Sequence, residues 1–256
     1  MTDQSQALRT HHKENSPSRG SSFDKRWERA HRILDAASRL ILRWGYGKTT
    51  IDDIARDAGV AKGTIYLHWK TREELFTSLS HREMLFFARD FRQHIAADPI
   101  GPTLRGIVKH SALAILKRPL LKALLLRDRE VLGKMAQSEF TNASYLERVE
   151  DFKIYLESLR QHDLIRSDLP LQAQVHMVGA VYAGFFLDHP IVPEELVLPD
   201  EELAELMAET VQRTLETDHA VSSGEMETVT QAYLESVNHL ISLTEEQFRQ
   251  ELQGAA

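Results

Sequence analysis

From Phe23 onward, apolar side chains at Trp27, Ala30, Ile33, Leu34, Ala37, Leu40, Ile41 and Trp44 recur every three or four positions, the spacing of one helix face. This predicts a first helix, with Trp27 and Trp44 as core anchors. It closes at Gly45-Tyr46-Gly47, where glycine can take the left-handed conformation that ends a helix. Thr50 is placed to cap a second, short helix from Ile51 to about Ala58, whose first turn holds Asp52 and Asp53 beside the exposed N–H groups. Gly59 breaks it. A third helix from about Ala61 to Trp69 turns Ile65 and Trp69 inward and leaves Lys62, Gly63, Thr64, Tyr66 and His68 on its other faces. Thr71 and Glu74 form an S/T-x-x-E capping box that starts a long fourth helix through Leu75, Leu79, Leu85 and Phe86 toward Ile95, ending before Pro99.

The rest of the chain reads as helices separated by punctuation: Pro102 to Arg118, Pro119 to about Ala136, Glu139 to about His162, Leu171 to Asp188, Glu201 to about Thr217 and Glu225 to about Leu252. No segment alternates as a strand does, and there is no internal repeat. The first twenty-two residues are polar and nearly free of large apolar side chains, so they are expected to be a disordered tail. The expected organisation is all-α: a tail at 1–22, a helical head at 23–78, and a helical body at 79–256, joined to the head by the fourth helix.

Composition changes this picture in two places. Zero cysteines exclude disulfides, thiolate metal sites and thiol catalysis. The formal charge of −7 argues at first against a phosphate-bearing partner, but it is an average. Residues Met1 to Ala96 carry 17 Lys and Arg against 12 Asp and Glu, a net of +5, whereas Ala97 to Ala256 carry 14 against 26, a net of −12. A basic head on an acidic body suits binding to a duplex through one end.

Two short helices joined through a glycine turn, the second presenting Lys, Thr, Tyr and His, make a helix-turn-helix whose second helix fits the DNA major groove. The run Ile33-Leu34-Asp35-Ala36-Ala37, then Gly45 through Ala55, Ala58-Gly59-Val60, Lys62 through Tyr66, Trp69-Lys70 and Glu73-Glu74-Leu75 closely resembles the TetR (tetracycline-repressor) family of bacterial regulators. The resemblance covers Trp27 to Leu79, a fifth of the chain, and Gln161 through Asp168 looks like that family's turn before the dimer-forming helix. It implies an all-α homodimer that binds an inverted-repeat operator in double-stranded DNA, most often as a repressor, and is released by a small apolar or amphipathic effector. It places Lys48, Thr49, Thr50, Ala61, Lys62, Gly63, Thr64, Tyr66, Leu67, His68 and Lys70 at the DNA, with Thr49, Thr50, His68 and Lys70 on phosphate or backbone. Ala61 stands where the family often has Ser or Thr, so the recognition helix lacks that hydroxyl. Six to eight phosphate contacts per dimer imply a log–log salt slope of about −5 to −7.

In the body, Phe86, Phe87, Phe91, His94, His110, Tyr145, Phe152, Met177, Tyr182, Phe185 and Phe186 are candidate pocket walls, since ligand cavities are apolar with few polar groups. His110 is the polar candidate among apolar neighbours, with a satisfied buried histidine as the competing reading. Because the fourth helix runs from the head into the body, ligand packed near Phe87, Phe91 or His94 would tilt it. The helix at 171–188 is apolar on more than one face and, with 201–217, is expected to build a two-fold interface. No metal, cofactor or catalytic constellation is expected: there is no HExxH, nucleophile elbow or phosphate loop. The longest apolar stretch, Val175 to Leu187, is short of the ~20 residues of a membrane span, and a cytoplasmic protein is expected. The other function open to this sequence is a helical small-molecule or lipid carrier with a vestigial DNA head. The terminal helix has two open roles, capping the dimer or covering the pocket.

Overall fold

The computed structural model describes residues 19–101, 103–137, 139–187, 192–218 and 223–253. Eleven α-helices follow in order among these residues: α1 (Arg19–Trp44), α2 (Ile51–Asp57), α3 (Lys62–Tyr66), α4 (Arg72–Ala97), α5 (Leu104–Leu116), α6 (Pro119–Leu126), α7 (Arg129–Leu132), α8 (Glu139–Gln161), α9 (Leu171–Phe186), α10 (Asp200–Leu215) and α11 (Ser223–Gln253). No strand occurs among them. A single antiparallel bridge between Ile165 and Glu216 ties the turn after α8 to the end of α10.

α1 begins at Arg19, four residues before Phe23, so the helix extends into the segment read from sequence as tail; the first eighteen residues of that tail lie outside the described residues. Gly45 ends α1 at φ +79°, with the carbonyl oxygen of Glu130 2.7 Å from where a Cβ would sit. A side chain there would be doubly excluded, by conformation and by space. The α1 face is as expected except at Trp44, which is 40% exposed beneath the Arg43 guanidinium instead of anchoring the core. Its position in the last turn carries it past the packing neighbours.

The predicted helix from Pro119 to about Ala136 is in fact two helices and a 3-10 turn. Arg127 adopts a left-handed conformation (φ 51°), the Asp128 N–H closes onto the Ala123 carbonyl at 2.9 Å, and the Asp128 carboxylate accepts from the N–H groups of Glu130 and Val131. A cap at Asp128 outcompetes continuation of the helix, because its carboxylate satisfies two donors that open a new one.

Two apolar cores result. One, around α1–α3 and the start of α4, includes Ile33, Leu34, Ile54, Ile65, Trp69 and Phe76, together with Leu120, Leu124, Leu132 and Phe248 from distant parts of the chain. The other fills the body with residues of α4, α5 and α8–α11, among them Phe91, Ile107, Tyr155, Val178, Met207 and Val211. α10 runs along α5, held by Glu205 between Arg105 and Lys109. No helix among the described residues is long and apolar enough to cross a membrane.

Candidate functional site

The head is assembled by local chemistry. Thr50 caps α2 by accepting from the Asp53 N–H at 3.2 Å, and the Asp53 carboxylate returns a contact to the Thr50 N–H at 3.3 Å, a complete capping box. Gly59 takes φ +64° to turn the chain, and the Val60 N–H reaches the Ala55 carbonyl at 2.9 Å. α3 spans only Lys62–Tyr66, shorter than the predicted Ala61–Trp69; Ala61 stands at its N-cap with no side-chain hydrogen bond. The missing hydroxyl is the local reason for its unsecured start. Ile65 is fully buried and pins the helix to the core. At α4, Thr71 accepts from the Glu74 N–H at 3.0 Å, while the Glu74 carboxylate binds the Lys70 N–H at 2.8 Å, one residue earlier than a standard box.

Of the eleven expected DNA positions, Lys48, Thr50, Ala61, Lys62, Gly63, Tyr66, Leu67 and Lys70 are exposed and Thr64 is half-buried. Tyr66, at 44% exposure, presents its phenol outward from α3. Lys62 is not free: its ammonium lies 2.8 Å from the Asp52 carboxylate of α2, which raises its pKa. Two expected contacts are corrected. Thr49 is 1% exposed and its hydroxyl donates to the Gly45 carbonyl at 3.0 Å, so it secures the turn instead of reaching phosphate. His68 is 3% exposed, its ring against Trp69 at 5.2 Å, and its Nδ1 is buried with no hydrogen-bond partner. It lies beyond the end of α3, where the chain folds back under the head and carries the imidazole inward.

Burial and the charges of Arg26 and Arg29 hold the His68 imidazole down to about 4. The unfolded chain therefore binds more protons than the native one between pH ~6.5 and ~4, so stability rises with pH across that window. Urea unfolding is expected to show a loss of about 2–3 kcal/mol on going from pH 7 to pH 4 from this residue, and His68→Phe should remove that share of the pH dependence. An unchanged slope in the variant would refute it.

Sequence reasoning did not single out the residues that lock the head to α4. The Arg72 guanidinium lies 4.1 Å over the Tyr46 ring and donates to the carbonyls of Thr49 (3.0 Å) and Tyr46 (3.3 Å), while the Tyr46 hydroxyl donates to Glu73 at 3.1 Å. Burial, ahead of the flanking charges, raises the Tyr46 pKa. The signal available in sequence was an aromatic residue inside the glycine turn.

The body holds an apolar cavity of about 340 Å³ between α4, α5, α6, α8, α9 and α11. Its walls include Met84, Phe87, Ile107, Ser111, Leu121, Leu125, Phe152, Val175, Val178, Tyr182, Phe186 and Tyr233, and none of the described lining residues is charged. Its polar side-chain groups are the hydroxyls of Ser111, Tyr182 and Tyr233 among the described residues. The Tyr182 hydroxyl pairs with Ser111 Oγ and reaches the Val108 carbonyl at 3.3 Å; burial pushes this phenol up to about 12. Tyr233 stands nearby, its pKa raised by burial first and then by Tyr182 and Asp151.

Phe87, Phe152 and Tyr182 were expected at this wall and are there. Phe91 lies behind it, stacked on Phe87 at 5.7 Å and packed edge-on to Tyr233. His94 and His110 are elsewhere: the His94 Nδ1–H donates to the Asp90 carbonyl at 2.6 Å, and His110 Nε2 pairs with Asp98 at 2.8 Å. Burial works against the Asp98 charge, yet the Ile100 N–H and His110 overcome it and lower its pKa. His110 is thus held through Nε2 alone, away from the cavity wall, and its buried Nδ1 has no hydrogen-bond partner among the described residues. Met177 and Phe185 lie on the other side of α9. The Tyr145 side chain lies outside the described residues. Phe186, also expected there, lines the wall as well, whereas sequence reasoning missed Ser111 and Tyr233. Among the described residues, no group of three or more histidines or carboxylates is placed to hold a metal ion.

The family described as "Bacterial regulatory proteins, tetR family" matches residues 33–79, from α1 through the first part of α4. The chain is 25% identical over 181 residues to the HTH-type transcriptional regulator AcrR of Shigella flexneri, covering 68% of this chain and 84% of that regulator. Among solved structures, FadR of Bacillus subtilis, in complex with stearoyl-CoA, superposes with a TM-score of 0.54 at 20% identity, over 71% of this chain and 96% of that one. SmeT, the repressor of the Stenotrophomonas maltophilia multidrug efflux pump SmeDEF, superposes with a TM-score of 0.56 at 20% identity, over 76% of this chain and 94% of that one, and is also known in complex with triclosan. The head of this chain, residues 33–79, is that of the tetR family of bacterial regulatory proteins, and over two thirds of its length the chain is similar to a transcriptional regulator.

Proposed function

We propose that the protein is a homodimeric repressor that holds a palindromic operator with two α3 helices and is released when an uncharged, apolar effector enters the body cavity. The observation that carries this reading is the reach of one helix: α4 starts at Thr71, beside the Lys70 end of the head, and places Met84 and Phe87 in the cavity wall. Ligand and DNA would then bias the same rigid element. A division of the chain near residue 78 into head and body belongs to the same proposal.

The effector class follows from the lining. A thioester of coenzyme A carries phosphates that need cationic partners, and the described residues of the cavity wall supply none. A compact neutral molecule with one hydrogen-bonding group suits Tyr182 and Ser111, nearer to the triclosan bound by SmeT than to the stearoyl-CoA bound by FadR. Tyr182→Phe keeps the shape and is expected to weaken such a ligand about three- to tenfold, read by titration calorimetry, while leaving wholly apolar ligands unaffected. Equal loss for both kinds would show that the hydroxyl is not read.

The two-fold interface is assigned to α9 and α10. Ala180 and Gly184 are exposed beside half-buried Val181 and Phe185, and Leu206 of α10 is 42% exposed. Small residues on an apolar helix face let a second copy approach closely. Selection from random duplexes tests the DNA reading: the recovered sites should hold inverted half-sites whose centres lie about 34–36 Å apart or a multiple of it. Recovery of no preferred sequence, with ligand binding intact, would favour the carrier with a vestigial head, the reading that the uncapped start of α3 supports.

A further inference from the structure

The 31-residue helix α11 touches both the cavity and the head. At one end, Tyr233 forms part of the cavity wall and packs on Tyr155 of α8 with ring centroids 4.6 Å apart. Eighteen residues further on, about 27 Å along the helix axis, Glu251 accepts from the Ser78 hydroxyl of α4 and stands 2.9 Å from His81 Nδ1. Ser78 in turn accepts from the Trp69 indole N–H at 2.8 Å, and the Trp69 backbone N–H bonds to the carbonyl of Ile65 in α3 at 2.9 Å. A continuous chain of hydrogen bonds therefore runs from α3 through α4 to the far end of α11. Beside it, fully buried Phe248 presses into α1, its ring edge-on to Trp27 at 5.2 Å and His31 at 5.7 Å.

We infer that α11 is a second transmission element, parallel in role to α4: ligand against Tyr233 shifts the helix, and Phe248 and Glu251 pass that shift to the seat of the recognition helix. A packed helix anchored at both ends moves as a rod, because close-packed side chains do not absorb a displacement at one end. Anchors at only one end would leave α11 as a lid over the cavity or a brace on the head. Both ends are held, by residues with distinct chemistry. This inference rests on the reading of the cavity as the effector site.

The test uses the full-length chain and N-phenyl-1-naphthylamine, an uncharged apolar probe small enough for the cavity, with hydrogen exchange followed by mass spectrometry. Saturation with the probe is expected to change exchange at least about fivefold, the lower end of typical coupling, both at 244–253 and at 68–81. In Glu251→Ala, and independently in Ser78→Ala, the probe should bind within twofold of the parent, while the change at 68–81 falls at least twofold, the remainder passing through α4. Ala183→Phe, which fills the cavity, should abolish probe binding. Binding by the parent with exchange changes confined to α5, α6 and α9, or an undiminished response at 68–81 in both Glu251→Ala and Ser78→Ala, overturns the role of α11 and leaves the cavity reading standing. Failure of the parent to bind the probe, or binding that survives Ala183→Phe, overturns the cavity reading and this one with it.

Discussion

Raising monovalent salt from about 50 to about 200 mM is expected to weaken binding to a selected operator by about 10²- to 10³-fold, with a log–log slope of about −4 to −5. Three exposed lysines lie at the expected DNA positions of each head, Lys48, Lys62 and Lys70, hence six in a dimer. Each phosphate neutralised by a lysine releases about 0.9 of a counterion, so six give about −5. Lys62 counts only when it leaves Asp52, 2.8 Å away, and without it the slope falls to about −4. This is shallower than the −5 to −7 expected from six to eight phosphate contacts, because only cationic side chains displace counterions and one of the three lysines is held by Asp52. Asp52→Asn should free Lys62, steepen the slope toward −5 and tighten binding about two- to fivefold, the scale of an exposed ion pair. Fluorescence anisotropy across a salt series measures both. A slope near zero, or an Asp52→Asn variant that binds more weakly, contradicts this assignment of the head.

Ala180→Arg is expected to turn the protein into a monomer by sedimentation and to reduce operator affinity by about 10²- to 10⁴-fold. The loss comes from linkage. In a dimer the second head binds at the high local concentration set by the first, and separation removes that gain without altering any head–DNA contact. Ala180 is exposed on α9 beside Gly184, so an arginine there meets water in the isolated chain and disturbs no core residue. In the dimer it would bury an unpaired charge between two helices, which a close interface does not tolerate. Unchanged thermal melting of the variant at low concentration, with the change in mass, separates loss of assembly from loss of folding. A variant that remains dimeric would move the interface away from this face of α9.

Much of the head was legible before any coordinates. The α1 periodicity, the Thr50 cap with Asp53, the Gly59 turn and the Thr71 start of α4 all rest on contacts between residues at most five apart in the chain. Such contacts leave a local pattern, and the pattern can be read. The exceptions were also local in origin. Arg127 and Asp128 broke a helix that composition favoured, and the uncapped Ala61 left α3 with five residues.

The cavity was only partly legible. Phe87, Phe152 and Tyr182 were found because aromatic residues on apolar helix faces are natural wall material, but the same description fits Phe91 and Phe185, which point elsewhere. Periodicity tells which face of a helix avoids water; it does not tell whether that face meets a neighbour or an empty space. His110 illustrates the limit, since its partner Asp98 sits twelve residues away across a turn whose geometry no periodic pattern encodes.

The amino-acid order by itself determined that the chain is all-helical, that its basic end carries a helix-turn-helix and that its remainder is acidic, since helix period, caps and net charge are properties of neighbouring residues. Only the tertiary structure decided that Thr49 and His68 face inward, that an uncharged cavity opens beside Tyr182, and that α11 grips both this cavity and the head. Those outcomes depend on pairs such as Ser78 with Glu251, 173 positions apart. Such pairs are selected by the packing of whole helices, and neither partner bears a local mark of the other.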